Sequence, residues 1–270
     1  MKVTAIMTVK NGQKFIEQAL DSIISQAAPV AEIIVVDDGS TDSSAACVRN
    51  IASRVDIPIK LICTTGVGRA KALNIAVDAS AGDWIANIDV DDYWYIDKIR
   101  LQLDAIQKHP ECDIFVTGTH IIYGSKAVDR SRRFEASSVV TLDKCSFFIN
   151  NPINHSSVLI SKAALKEVGG YCADLARQID IELWVRLLVA GYRFGMLQQP
   201  LTVKRLHEEQ SFEHGNRFRY ALGAFVISLK KLSALNAPAY YYPVPFIKFL
   251  YQILPRGISN AVRKVVRATT

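Results

Sequence analysis

The stretch Asn87-Ile88-Asp89-Val90-Asp91-Asp92 follows the apolar run Trp84-Ile85-Ala86 and crowds the carboxylates of Asp89, Asp91 and Asp92 together. Acids this close repel unless something positive sits among them. Mg2+ and Mn2+ do this well, because they prefer carboxylate and water oxygens and commonly bind phosphate at the same time. One reading is the end of a buried strand that presents a metal to a diphosphate. The other is a polar loop in which a carboxylate caps the next helix. Alone, the stretch leaves both open.

Working outward, the chain alternates apolar runs with helical periodicity. Val3 to Val9 reads as a buried β-branched strand, and Lys10-Asn11-Gly12 breaks it. Phe15, Ala19, Ile23 and Ile24 recur at helical spacing. Glu32 to Val36 is a second strand, Ser43 to Ser53 a helix, Ile59 to Cys63 a third strand, Arg69 to Ala79 a helix and Trp84 to Ile88 a fourth strand. This alternation predicts an α/β domain with a mainly parallel, Rossmann-like sheet covered by helices on both faces. Ligands of such sheets sit at the carboxyl ends of the strands. Three polar clusters fall there: Thr8 to Asn11, Asp37-Asp38 and Asp89 to Asp92.

Asp37-Asp38-Gly39-Ser40 suits a turn, with Ser40, Thr41 or Asp42 as a helix cap. It equally suits a cleft in which one carboxylate accepts a uracil imide N–H or a ribose hydroxyl. Gly66-Val67-Gly68-Arg69, with Lys71 and Asn74, fits close backbone approach to phosphates and a cationic partner for them. Dinucleotide, P-loop, GxSxG and HExxH motifs are missing, which argues against nicotinamide, P-loop nucleotide, serine-hydrolase and zinc-protease chemistry.

Half of the 270 residues are hydrophobic, enough for one large domain plus an appendage. The net charge of +6 is unevenly spread. After Glu213 there is no acidic residue, while Arg217, Arg219, Lys230, Lys231, Lys248, Arg256, Arg263, Lys264 and Arg267 follow. Removing those nine charges leaves 6 − 9 = −3 on the first 213 residues. The five cysteines lack C-x-x-C spacing, so we expect small buried residues in a reducing compartment rather than zinc ligands or disulfides. The N-terminus lacks a signal-peptide cleavage pattern, and no apolar run of 18 or more exists, so a cytoplasmic location is expected.

Together these motifs resemble the family 2 glycosyltransferases, which have the GT-A fold and use nucleotide-sugars. The resemblance rests on Thr8 to Gly12, Ser22 to Gln26, Ile34 to Asp42, Gly68-Arg69-Ala70 with Leu73-Asn74, and Gly82 to Asp92. It extends over roughly residues 1 to 210. It implies a nucleotide-sugar half over 1–110 and an acceptor half over 111–213; beyond it, the basic charge and the helical spacing of Phe218, Leu222, Phe225, Val226 and Leu229 point to a basic, largely helical extension over 214–270. It implies nucleotide contacts from Thr8, Val9, Asn11, Asp37, Asp38, Gly68, Arg69, Asn74, Asp89 and Val90, with Asp38 on uracil and Arg69 on base or diphosphate. Asp89 and Asp91 resemble the pair that holds Mn2+ or Mg2+. Lys10 departs from the aromatic or small residue of many members.

Ile153 to Ile160 reads as a strand with a polar start, Val168 to Tyr171 as a turn, and Asp180 to Leu188 as an amphipathic helix. The family places a Glu-Asp pair before the Leu-Trp of that helix. Here the Glu is missing, and Asp180 resembles the general base, with Glu182 as understudy. Arg205-Leu206-His207 resembles the family's Arg-x-His, whose His approaches the metal or diphosphate. Asp92, His155 and Arg205 are the expected diphosphate or acceptor contacts.

These readings imply an inverting transfer from a nucleotide-sugar, with a UDP-sugar expected, to a hydroxyl of a glycan or lipid-linked acceptor in cell-surface polysaccharide synthesis. The rivals are a nucleotide-sugar-binding protein without catalysis and a sugar nucleotidyltransferase. Aromatic and basic residues from Tyr240 to Tyr251 and from Ile258 to Arg267 suit an anionic membrane surface, on the inner face of the cytoplasmic membrane. A packed helical lid is the other reading of that tail. No nucleic-acid-binding motif accompanies the charge.

Overall fold

A computed structural model of the chain describes residues 1–124, 126–207 and 217–254, with the side chains of Arg217 and Arg219 outside that description. The elements run β1 (Val3–Val9), α1 (Ile16–Ile24), β2 (Glu32–Asp37), α2 (Ser44–Ala52), β3 (Ile59–Cys63), α3 (Arg69–Ala79), β4 (Trp84–Asp89) and β5 (Tyr93–Trp94). Next come α4 (Lys98–Lys108), β6 (Ile114–Tyr123), β7 (Val139–Leu142), β8 (Leu159–Ser161), α5 (Lys162–Glu167), α6 (Ile179–Val189) and β9 (Phe194–Leu206). Last are α7 (Arg217–Ala234) and α8 (Pro243–Ile253).

One sheet of nine strands has the order β3-β2-β1-β4-β8-β6-β9-β5, with β7 on β9. Its first four strands are all parallel. Val3, Ala5, Met7 and Val9 of β1 share a buried cluster with Ile16, Ala19, Leu20 and Ile23 of α1. Successive side chains of a strand point to opposite faces, so α3, which packs on β1 and β2 with residues outside that cluster, covers the other face. Each Val, Leu, Ile or Met side chain so buried contributes about 1.5–3 kcal/mol.

The second half of the sheet is mixed, which the sequence did not announce. β8 is antiparallel to both β4 and β6, and β6 runs parallel to β9. Thr117 pairs with Leu197 but Thr119 with Thr202, so Gly118 alone faces four residues of β9. A Cβ on Gly118 would lie 2.7 Å from the Gln198 carbonyl oxygen, which only glycine avoids. Beyond this bulge β9 pairs with β5, directly after the acidic stretch.

The strand expected over Ile153 to Ile160 is shorter. His155–Ser157 forms a 3-10 turn, and only Leu159–Ser161 joins the sheet. The reason is polar: the buried His155 and Ser156 bond to the end of β4 and cannot lie in a ladder. Among the cysteines only Cys112 is buried, while Cys63 and Cys145 are exposed, so the expectation of buried cysteines holds for one of five.

The chain separates into two compact units, Met1–Asp143 with Asn151–His207, and Lys144–Asn150 with Glu208–Thr270. Of the second unit, 144–150 and 217–254 are described. The expected boundary at 213/214 and the basic segment from Ile258 to Arg267 lie outside the described residues. In the second unit α7 packs on α8 through Phe225 against Phe246 and Phe249. No helix among the described residues is long and apolar enough to cross a membrane.

Candidate active site

Parallel register brings the three polar strand ends side by side. Val9 pairs with Asp37, and Thr8 with both Val36 and Asp89. Thr8 is half-buried at this edge. Val9 belongs to the core, and its carbonyl accepts the Asp38 N–H. Val90 is partly buried, packs beside that core and closes over Gly12.

The end of β2 is held together by its own loops. One Asp37 oxygen accepts the Ser40 N–H at 2.7 Å, and the other is buried without a partner among the described residues. Asp38 accepts three hydrogen bonds, from Thr64 Oγ1 (2.7 Å), Val67 N–H (2.7 Å) and Gly68 N–H (2.9 Å). Burial pushes its pKa up, but these three donors and the charge of Lys10 outweigh it and leave the pKa lowered. Gly68, at φ +93, adopts the left-handed backbone that lets the Gly66–Gly68 loop wrap this carboxylate. Asn11, at φ +55, accepts the Thr41 N–H on its side-chain oxygen, and its own N–H donates to Ser40 Oγ. Asp42, not Ser40 or Thr41, receives the start of α2, accepting from Ser44 N–H and Ser44 Oγ.

The end of β4 is bonded mainly by side chains. Asp89 Oδ1 lies 2.5 Å from Arg69 Nη2 and 3.3 Å from His155 Nδ1. Asn87 Nδ2 donates to the Tyr171 hydroxyl at 2.8 Å, and that hydroxyl lies 2.9 Å from His155 Nε2. The His155 ring thus lies between Tyr171 and Asp89, with its Nδ1 also 3.3 Å from Arg69 Nη2. Burial opposes ionisation of Asp89, yet Arg69 and His155 hold its pKa far below the usual carboxylate range. Arg69 is pushed up, first by Asp89. Burial first, then Asp89 and Asp180, raise Tyr171 well above a free phenol.

Asp91 turns another way. Its Oδ2 lies 3.1 Å from His207 Nε2, and the His207 ring packs on Phe15 at 4.7 Å. Asp92 turns inward and is 3% exposed. It accepts from Ser156 Oγ and from the Arg205 N–H. Burial, then Asp91 and Asp89, raise its pKa well above the usual carboxylate value.

Several expected contacts therefore have other work. Asp92 braces the chain behind the site instead of facing a diphosphate or acceptor. Arg205 is buried; its guanidinium donates to the Gly124 and Lys126 carbonyls and to Gln18, beside the rings of Phe15 and Tyr93. Asn74 exchanges hydrogen bonds with the backbone N–H and C=O of Tyr171, and a Cβ on Gly170 would strike it at 2.6 Å. Glu182 binds Arg186 through both oxygens, and Arg186 in turn grips the carbonyls of Val168 and Gly170. That carboxylate is occupied in tying α6 to the turn that carries Tyr171.

Asp180 is placed differently. It lies half-buried in the first turn of α6, where the helix dipole favours its charge. Its Oδ2 accepts from Asn151 Nδ2 at 2.8 Å. It is near enough to raise the pKa of both Arg69 and Tyr171, so it shares the site of Asp89. Tyr171, Asn87, Ser156, Asn151 and Lys204, whose charge lowers the pKa of Asp89, were not singled out by motif. Alternation along β9 is the signal for Lys204, since it sends neighbours Lys204 and Arg205 to opposite faces.

No group of three or more His, Cys, Asp or Glu side chains among the described residues is arranged to hold a metal. A hard divalent ion needs fewer, because one or two protein donors suffice when phosphate and water complete the shell. Asp91 and His207 fit that smaller role. Asp89 is already held by Arg69 and His155.

The family model of Glycosyl transferase family 2 matches residues 4–169. EpsE of Bacillus subtilis (strain 168) is 24% identical over 266 residues, covering 97% of this chain and 93% of its own. The amylovoran biosynthesis glycosyltransferase AmsE of Erwinia amylovora is 24% identical over 255 residues, covering 88% of this chain and 92% of its own. Among solved structures, S. aureus TarS 1–349 in complex with UDP-GlcNAc superposes with TM-score 0.69 at 18% identity, covering 93% of this chain and 72% of that one. The mannosyltransferase PcManGT of Pyrobaculum calidifontis, in complex with GDP-Man and Mn2+, gives TM-score 0.67 at 20% identity, covering 99% and 80%. The chain belongs to glycosyl transferase family 2, a glycosyltransferase on the GT-A fold.

Proposed function

We propose that this glycosyltransferase moves a sugar, with inversion, from a UDP-sugar to a hydroxyl of a glycan or lipid-linked acceptor in cell-surface polysaccharide synthesis. The observation that carries the reading is the Asp89–Arg69 pair at the carboxyl edge of the parallel strands, with the charge of Asp180 acting on that same Arg69. The non-catalytic and nucleotidyltransferase alternatives lose their ground with family membership.

In this reading the acceptor hydroxyl lies against Asp180. As its oxygen bonds to the anomeric carbon, Asp180 takes the proton, and the bond from that carbon to the diphosphate breaks with its electron pair leaving on phosphate. A single displacement inverts the carbon. Arg69 and Lys204 meet the departing charge, Arg69 exchanging Asp89 for phosphate oxygen. Asp91 and His207 would hold Mn2+ or Mg2+, which supplies Lewis-acid stabilisation of the leaving group when bound. Asn11, Asp37, Asp38 and the Gly68 turn form the floor on which the nucleoside rests. The nucleotide-sugars and Mn2+ in the names of related structures support the donor class and the metal. The basic charge after residue 213 and the exposed apolar side chains of α7 and α8 support attachment to an anionic membrane from the cytoplasmic side.

A donor panel tests the reading. The protein with Mn2+ is screened for thermal stabilisation, and the stabilising donor is then incubated with lipid-linked glycans. Release of nucleoside diphosphate with a product of inverted anomeric configuration is expected. A retained configuration, or pyrophosphate as product, would sink it.

A further inference from the structure

Lys10 follows β1 at a position where many family members carry an aromatic or small residue, and it takes no part in the transfer described above. The structure places it beside the β2 acids. The carbonyl of Val9, just before it, accepts the Asp38 N–H at 2.8 Å, so Lys10 and Asp38 leave neighbouring parallel strands side by side. Both also border Gly66: a Cβ added there would lie 3.8 Å from Lys10 Nζ and 4.0 Å from the Asp38 carbonyl oxygen. Lys10 is exposed, and its ammonium makes no hydrogen bond or ion pair among the described residues. Its charge still reaches the Asp38 carboxylate, where it adds to the three hydrogen bonds that lower that pKa.

Asp38 has little acceptor capacity to spare. A carboxylate offers about four lone-pair positions. Thr64 Oγ1 and Val67 N–H take two of them on Oδ1, and Gly68 N–H takes one on Oδ2. A base that presents a single N–H uses the remaining position without displacing the loop. A base that presents two must break a bond already made. Uracil presents one imide N–H with a carbonyl on each side. Guanine presents a ring N–H and an amino group together, so it needs two acceptors and sets a donor against the Lys10 ammonium. Cytosine lacks the ring N–H and carries an amino group in place of one uracil carbonyl. We propose that Lys10 is a specificity-determining residue of the donor site: its ammonium donates to a carbonyl oxygen of uracil while Asp38 accepts the neighbouring imide N–H. The lysine thereby attracts a carbonyl and repels an amino group at the same place. The inference rests on the UDP-sugar reading above and adds to it the residue that selects the base.

The test is calorimetry of UDP, CDP and GDP, each with Mn2+, on the full chain and on Lys10→Met. Methionine keeps the length and removes the charge of an exposed side chain, so the variant is expected to stay folded, checked by its Tm. The wild type is expected to bind UDP at least about tenfold more tightly than CDP or GDP, the worth of one hydrogen bond to a charged group. Lys10→Met should lose about tenfold in affinity for UDP alone, while CDP and GDP bind no more weakly than before. Equal losses for all three nucleotides would place the ammonium on the diphosphate they share and overturn the base assignment. A UDP preference that Lys10→Met keeps unchanged would overturn it too, and in both cases the UDP-sugar reading stands. A wild type that does not prefer UDP overturns that reading and the inference with it.

Discussion

The ends of β2 and β4 look alike in sequence, each a buried strand closing on adjacent acids, but the structure uses them in different ways. At β2, Asp37 and Asp38 are engaged chiefly by backbone N–H groups of nearby loops. At β4, Asp89 and Asp91 are engaged by Arg69, His155 and His207, on long or rotatable side chains. A backbone donor cannot leave without refolding its loop. A guanidinium or imidazole can turn to a phosphate or a metal. On the reading proposed above, the β2 acids shape the floor and the β4 acids hold the groups that exchange with substrate.

Substitutions at the two ends should separate accordingly. The largest effect belongs to the group that the β4 end holds: Arg69→Met is expected to lower kcat/KM about 10³-fold, a loss typical of removing one preorganised electrostatic group, with Tm changed little. A large Tm drop with ordinary activity would erase the contrast. Next, Asp180→Asn keeps the shape and removes the basicity, so kcat should fall by about 10²-fold or more with donor affinity unchanged. If Glu182→Gln is instead the inactive variant, the base has been misassigned, although Arg186 already grips that carboxylate.

The β2 end should answer in stability. Asp38→Ala orphans the Thr64, Val67 and Gly68 donors, and denaturant unfolding should show a loss of about 2–3 kcal/mol at pH 7. Its pKa is lowered on folding, so this contribution is present above the unfolded value and disappears as pH falls through the folded one. The wild-type and variant curves should converge in acid. The smallest effect is Asp92→Asn. That pKa is raised on folding, so the native state holds the extra proton and the acid costs stability as pH climbs above the unfolded value. Unfolding at pH 5 and pH 8 should show the variant gaining on the wild type by up to about 1 kcal/mol at the higher pH. A gain toward acid would mean that Asp92 is ionised in the native state.

The parallel strands and their polar ends were legible because burial on both faces leaves long β-branched runs, and turn residues must follow them. The second half of the sheet was not. β8 has three residues and β5 two, too few for a period to register, and the bulge at Gly118 depends on the distant Gln198 carbonyl. Within the site, Asp89 and Asp91 stand out by charge and spacing and Arg69 by its glycine loop, whereas Asp180 is reached only through the family resemblance. Tyr171 does not stand out, since it looks like the end of a glycine turn, and it is Asn74, 97 residues away, that bonds its backbone N–H and C=O. Arg205 misled for the converse reason: its charge suggests phosphate, while its guanidinium is already engaged by the Gly124 and Lys126 carbonyls and by Gln18.

The most direct test of the exchange at β4 is calorimetry of UDP binding with and without Mn2+, for the wild type and for Asp91→Asn. The account predicts that Mn2+ strengthens UDP binding to the wild type by at least about tenfold, the worth of one good charge contact, and that Asp91→Asn binds UDP equally weakly with or without the ion. Metal-strengthened binding that survives unchanged in Asp91→Asn would contradict it.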